Sequence, residues 1–176
     1  MDWYLPANKL IRDKGYLKKN LKKIIDNLYL NLKIKDNVFV HRDFHVSNMM
    51  FYKKKIALID SQDAVLGNPA YDLASLIDDV RIKTSNSFKS SILKVFLNKF
   101  KYKNESQFIN DFEILSVLRN LKIIGIFTRL AKRDKKRKYL KLIPYAWKLI
   151  DNRIKNNSNF HDLKNFLQEN PRIKKI

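Results

Sequence analysis

Asp43 and Asn48 stand five positions apart in the segment His41-Arg42-Asp43-Phe44-His45-Val46-Ser47-Asn48, and Asp60 closes the next apolar run, Ile56-Ala57-Leu58-Ile59. Transfer of a phosphoryl group needs a carboxylate beside the attacking hydroxyl, to orient it and take its proton, and Asp43 is of the right type. It also needs hard oxygen ligands for a magnesium ion that bridges the phosphates of ATP; Asn48 offers an amide oxygen and Asp60 a carboxylate. The order of base, amide, strand and carboxylate is that of a phosphotransfer loop followed by a metal loop. Taken singly, Asp43 reads equally as a cap or turn residue and Asn48 as a loop amide. The three together carry the chemical reading. His41 and Arg42 read as supports of the loop, since Asp43 already fills the proton-accepting role. His45 either faces the transferred phosphate or packs within the loop.

These side chains need a scaffold, and the hydrophobic pattern predicts one. Leu17, Leu21, Ile24, Ile25, Leu28 and Leu32 recur at helical spacing across residues 16–32, with lysines between them. Three short runs of β-formers follow, at 37–40, 49–52 and 56–59, the last two separated by Lys53-Lys54-Lys55. From residue 71 the period of 3.6 returns and persists through 71–81, 87–100, 105–132, 136–153 and 160–168, with a stop at Asn170-Pro171. The expected fold is α+β and mainly α: a helical bundle with a small β-hairpin island that carries the catalytic and metal loops. Loops on such an island are where a rigid scaffold commonly places its chemistry.

The chain has 176 residues, 45% hydrophobic and 12% aromatic, which predicts a single packed domain over 1–176. It has no cysteine, which excludes disulfides and thiolate metal sites. Its first residues lack the pattern of a signal peptide and its apolar runs are too short to span a bilayer, so a cytoplasmic location without membrane attachment is expected. Lys and Arg number 37 against 17 Asp and Glu, a formal charge of +20. That balance admits a nucleic-acid-binding module with a relic catalytic loop as an alternative. The lysines are spread over almost every segment, however, which points away from a nucleic-acid partner and towards codon usage; a positive field also draws in anionic substrates such as nucleotides.

The motifs resemble the aminoglycoside phosphotransferase and choline-kinase-like superfamily, and within it the sugar kinases that act on N-acetylmuramate and N-acetylglucosamine at the anomeric hydroxyl. The resemblance rests on residues 41–45 with Asn48, Ile59-Asp60-Ser61-Gln62-Asp63-Ala64 leading to Gly67, Tyr71-Asp72-Leu73-Ala74-Ser75-Leu76, Asp79-Val80-Arg81, the segment 119–127, and Tyr139-Leu140 before Pro144. Ser61 departs from it, standing where that branch usually has phenylalanine. The resemblance implies an ATP- and Mg2+-dependent kinase of a small hydroxylated acceptor, an amino sugar of cell-wall recycling, or else an aminoglycoside or other acceptor of the superfamily. It implies that Asp72 is a carboxylate accepting bonds from the catalytic-loop backbone. Asp63 touches either the substrate or the loop. Arg119 and Lys122, three apart on one helical face, either form a solvated stripe or line the acceptor side of the cleft.

The same fold expects a smaller N-terminal β-lobe with a glycine-rich phosphate cover and a strand lysine. The glycines here are Gly15, Gly67 and Gly125, none in a Gly-x-Gly pattern. The chain is therefore expected to be the C-terminal lobe of a kinase-like fold, truncated at its N-terminus. Weak ATP binding, doubtful turnover by the chain alone, and self-association or capture of a separate N-lobe through exposed apolar surface are the expected consequences.

Overall fold

The computed structural model describes residues 1–176 except Asp36, Tyr102, Lys103, Asn156 and Ile176. The protein is mainly helical, with seven α-helices and two small two-stranded sheets among the described residues. The backbone divides into two compact units, Met1–Asn31 with Val117–Ile176, and Leu32–Ser116.

The first unit holds α1 (Tyr4–Ala7) and α2 (Lys14–Leu30) from the N-terminal segment. Asp13 opens α2 by accepting from the Tyr16 backbone N–H at 2.8 Å, and Leu17, Leu21 and Leu28 form its buried stripe. The second unit carries β1 (Val38–Val40), β2 (Met49–Tyr52), β3 (Lys55–Leu58), β4 (Val65–Gly67), α3 (Ala70–Ile77) and α4 (Asn86–Phe100). The long α5 (Glu105–Lys132) gives its first turns to this unit and the rest to the other. α6 (Ile143–Ile154) and α7 (His161–Glu169) complete the first unit. No helix among the described residues is long and apolar enough to cross a membrane.

Several elements depart from the expected pattern, the short α1 among them. β4 was not anticipated: its three residues pair antiparallel with β1, Val40 opposite Val65 and Val38 opposite Gly67, a contact between segments more than twenty residues apart that no local pattern signals. The lysine run between the next two strands is shorter than expected as a loop, because Lys55 already pairs with Tyr52. Lys53 and Lys54 form a two-residue turn with φ of 47° and 60°, the left-handed pair whose twist suits a hairpin. The helix expected over 71–81 ends at Ile77, where Asp78 turns inward to accept from Lys89 Nζ at 2.8 Å and Asp79 accepts from the Arg81 backbone N–H. Across 136–153 a 3-10 segment, Arg137–Leu142, precedes α6, since Pro144 suits a helix start and lacks the N–H that an unbroken helix needs.

The core of the second unit packs Ala70, Leu73, Ala74 and Ile77 of α3 against Leu97 of α4 and Phe108, Phe112 and Leu115 of α5. Phe96 stacks on Phe108 with ring centroids 5.3 Å apart. This apolar layer supports α3, and α3 in turn faces the loops of the β-island.

Candidate active site

The loop after β1 turns sharply at Arg42, whose φ of 70° is left-handed, so Asp43 leaves the strand direction at once. A non-glycine residue held there costs about 1–2 kcal/mol, so the surroundings must fix it. They do so through Asp72 of α3: its carboxylate accepts from the His41 N–H at 2.6 Å and the Arg42 N–H at 3.0 Å. Two charge-assisted bonds on consecutive amides set the backbone on the N-terminal side of Asp43. On the other side, the Asp43 carbonyl accepts from the His45 N–H at 3.0 Å and from Asn48 Nδ2 at 3.0 Å. The Asp43 carboxylate itself stays exposed.

A short 3-10 turn, Val46–Asn48, places Asn48 at the start of β2. Since its NH2 donates to Asp43, Oδ1 is left as the acceptor of that buried amide. The Asn48 backbone carbonyl accepts from the Ile59 N–H at 3.0 Å, which ties the loop to the residue before Asp60. His41 makes a second tie: its buried ring donates from Nε2 to the Ile59 carbonyl at 3.0 Å, and Nδ1 has no hydrogen-bond partner among the described residues. Asp60, like Arg42, is left-handed, with φ of 69°, and one of its oxygens accepts from Gln62 Nε2. The catalytic-loop segment and the Asp60 loop are thus joined at Asn48, His41 and Ile59.

His45 is buried to 7% exposure and its backbone bonds both ways along the loop, to Asp43 and Asn48. Arg42 Nη1 donates to the Asp63 backbone carbonyl at 3.2 Å, while the Asp63 residue is exposed. Ser61 is exposed and its carbonyl accepts from the Ala64 N–H at 3.0 Å. Arg119 and Lys122 belong to the other unit, in the later half of α5: Arg119 is buried, and Lys122 is exposed at the edge of a cavity of about 290 Å³ lined with Tyr4, Leu5, Leu121 and Trp147.

The donor set suits magnesium. No group of three or more His, Cys, Asp or Glu side chains that could hold a metal ion occurs among the described residues. Magnesium does not require one: it keeps several waters and takes one or two protein oxygens together with substrate phosphates. Asn48 Oδ1 and the Asp60 carboxylate are oxygens of a suitable type, on loops joined by the Ile59 N–H to Asn48 carbonyl bond.

Two residues of the second unit escaped the motif reading. Asn68 and Asp111 bond to each other, Asn68 Nδ2 donating to Asp111 Oδ2 at 2.7 Å. The signal for Asp111 was a lone carboxylate inside the apolar stripe Phe108, Phe112, Ile114, Leu115 of α5.

Residues 2–103 match the family APH, "Phosphotransferase enzyme family". Among curated proteins the chain is similar to the N-acetylmuramate/N-acetylglucosamine kinase of Caulobacter vibrioides, 34% identical over 119 residues, 65% of this chain and 33% of that protein. It is similar to the kinase of the same name from Neisseria meningitidis, 33% identical over 150 residues, 81% of this chain and 45% of that protein. The Pseudomonas aeruginosa protein of that name is 27% identical over 176 residues, 97% of this chain and 52% of that protein. The chain thus spans a third to about half of the length of these relatives. With more than half of its own residues matching, the chain belongs to the APH phosphotransferase enzyme family.

Proposed function

We propose that this chain is the helical, catalytic lobe of an ATP- and Mg2+-dependent kinase that phosphorylates an amino sugar of the N-acetylmuramate/N-acetylglucosamine type at its anomeric hydroxyl. The observation that carries the reading is the pinned loop: Asp72 holds the backbone before Asp43, and Asn48 joins the backbone after it to the Asp60 loop. The relatives' shared name supports the acceptor class.

In this reading the exposed Asp43 carboxylate orients the sugar hydroxyl and takes its proton as the oxygen attacks the γ-phosphorus of ATP. A bond forms from that oxygen to phosphorus, the bond from phosphorus to the β–γ bridging oxygen breaks, and ADP leaves. Magnesium, when bound, neutralises charge on the phosphates, and Asn48 Oδ1 and the Asp60 carboxylate would hold it. His41 maintains the spacing between the two loops through Ile59. The burial of His45 favours packing within the loop over contact with the phosphate. Asp63 supports the loop through its backbone, which accepts from Arg42.

The β-island leaves Phe39, Phe51, Ile56 and Leu66 exposed. Apolar surface of this kind is usually covered. We assign that role to a nucleotide-binding lobe, supplied either by the same polypeptide or by another, with the reaction in the cytoplasm where ATP is available. The test is phosphorus NMR of ATP with N-acetylmuramate, N-acetylglucosamine, an aminoglycoside or choline. It is run on the chain alone and on the chain joined to the portion of the Neisseria meningitidis kinase that the match does not reach. A sugar 1-phosphate from the joined protein is expected. Phosphorylation of the aminoglycoside or choline with the amino sugars untouched would overturn the acceptor assignment.

A further inference from the structure

Asp111 lies in the second turn of α5 with no exposed surface, yet it is a carboxylate among phenylalanines. Such a group is costly to bury unless its lone pairs are taken up, and here four donors take them. Oδ1 accepts from the Lys33 N–H at 2.8 Å and from Asn110 Nδ2 at 3.0 Å. Oδ2 accepts from the Ile34 N–H at 2.8 Å and from Asn68 Nδ2 at 2.7 Å.

The places these bonds reach decide what Asp111 does. Lys33 and Ile34 lie on the segment that enters β1, and β1 ends at Val40, immediately before His41 and Arg42. Asn68 follows β4 and opens α3: its Oδ1 accepts from the Ala70 N–H at 3.0 Å and its carbonyl from the Tyr71 N–H at 3.1 Å. One residue beyond Tyr71 stands Asp72, whose carboxylate reaches back to the amides of His41 and Arg42. Both routes from Asp111 therefore converge on residues 41 and 42. The first runs through β1, the second through Asn68 and the opening turn of α3, and the β1–β4 ladder lies between them, Val38 opposite Gly67 and Val40 opposite Val65.

We propose that Asp111 is a positioning residue for the catalytic loop, acting through Asn68 and Asp72 on the backbone that carries Asp43; the word catalytic rests on the function proposed above. A left-handed Arg42 is held only by surroundings that over-determine it, and reaction geometry tolerates errors well under 1 Å. The two routes from Asp111 meet that need where the two bonds from Asp72 alone would leave α3 free to shift. A solely structural role for Asp111 would stabilise the Leu32–Ser116 unit evenly; a positioning role concentrates its effect at residues 41 and 42.

The two are separated by amide hydrogen exchange, followed by NMR on the full chain, which reads loop position whether or not the chain transfers phosphate. Asp111→Asn is nearly isosteric but turns one acceptor oxygen into a donor facing donors. It should speed exchange of the His41 and Arg42 amides about tenfold or more beyond any change at core amides such as Phe112 or Leu97. Asn68→Asp combined with Asp111→Asn exchanges donor and acceptor across the same contact and should recover much of that protection. Should Asp111→Asn fail to fold, Asn68→Ser keeps an oxygen near the Ala70 N–H, is too short to reach Asp111, and should give the same local loss. Unchanged exchange at His41 and Arg42, or an even loss across the unit that the double substitution does not reverse, would overturn the proposal. If the joined protein phosphorylates none of the four acceptors while this local response holds, the proposed function falls and the positioning role stands.

Discussion

The Asp43 carboxylate is exposed while the backbone around it is fixed by bonds from other residues, so its charge can be removed with little disturbance of the loop. In the protein joined to its relative's unmatched portion, Asp43→Asn should lower kcat by roughly a hundred- to ten-thousand-fold with the KM for ATP nearly unchanged. Steady-state kinetics check this, and near-normal kcat would remove proton acceptance from Asp43. Asp60→Asn should act differently, weakening Mg2+-dependent nucleotide binding in calorimetric titration while leaving metal-free binding as it was. Residues 41–48 and 60 are legible in the sequence because their chemistry is ordered along one short stretch. Asp111 is not: three of its four partners lie 43, 77 and 78 positions away, and a carboxylate on an amphipathic helix usually faces water. What marked it was its position within the apolar stripe, a signal that says "buried and bonded" without saying to what.

Among the elements, long helices are legible because period 3.6 accumulates over many residues, and α5 has the limits Glu105–Lys132 that its pattern suggests. Short strands are not, and β4 exists only because β1 is there to pair with it. The β2–β3 hairpin is intermediate: its strands are readable, but its turn uses Lys53 and Lys54 in a conformation for which asparagine and glycine are far better suited. Replacing the pair, Lys53→Asn with Lys54→Gly, should stabilise the hairpin by about 1 kcal/mol. Slower amide exchange at Met50 and Ala57 is the expected readout, and faster exchange would contradict the turn geometry. The end of α3 supplies a second test. Asp78 and Lys89 form a buried ion pair at 2.8 Å, and Ser116 Oγ donates to the other Asp78 oxygen at 2.5 Å. Lys89→Met leaves a buried carboxylate short of its cation and should cost about 3–5 kcal/mol in urea unfolding. A cost under about 1 kcal/mol would mean that the pair is solvated rather than buried.

At the scale of the whole molecule, the two ends of the chain meet within one unit. Asn8 Nδ2 donates to the carbonyls of Arg172 and Lys175, at 2.9 and 2.6 Å, and the Tyr4 hydroxyl donates to the Ile173 carbonyl at 2.6 Å. Trp147 Nε1 donates to that same hydroxyl at 3.1 Å. No motif advertises this closure, since it links positions about 170 apart through side chains that read locally as ordinary core and turn residues. It has a measurable consequence in alkali. Burial pushes the Tyr4 phenol up to about 12 from 10.0, only partly opposed by the Trp147 bond, which favours the phenolate. The folded protein therefore keeps the Tyr4 proton in a range where the unfolded chain has lost it. The stabilisation is complete below pH 10 and is lost as pH rises from about 10 through about 12. Tyr4→Phe should lower stability by about 1–2 kcal/mol near neutral pH, through the lost bond to Ile173 and the orphaned Trp147 N–H. Above pH 10 the gap between variant and parent should narrow, because only the parent has this ionisation to lose. Urea midpoints at intervals from pH 8 to 12, alongside ultraviolet difference titration of the tyrosines, give both quantities. A gap that stayed constant across that range would show that Tyr4 ionises in the folded protein as it does in the unfolded one, and that the closure of the two ends does not depend on its proton.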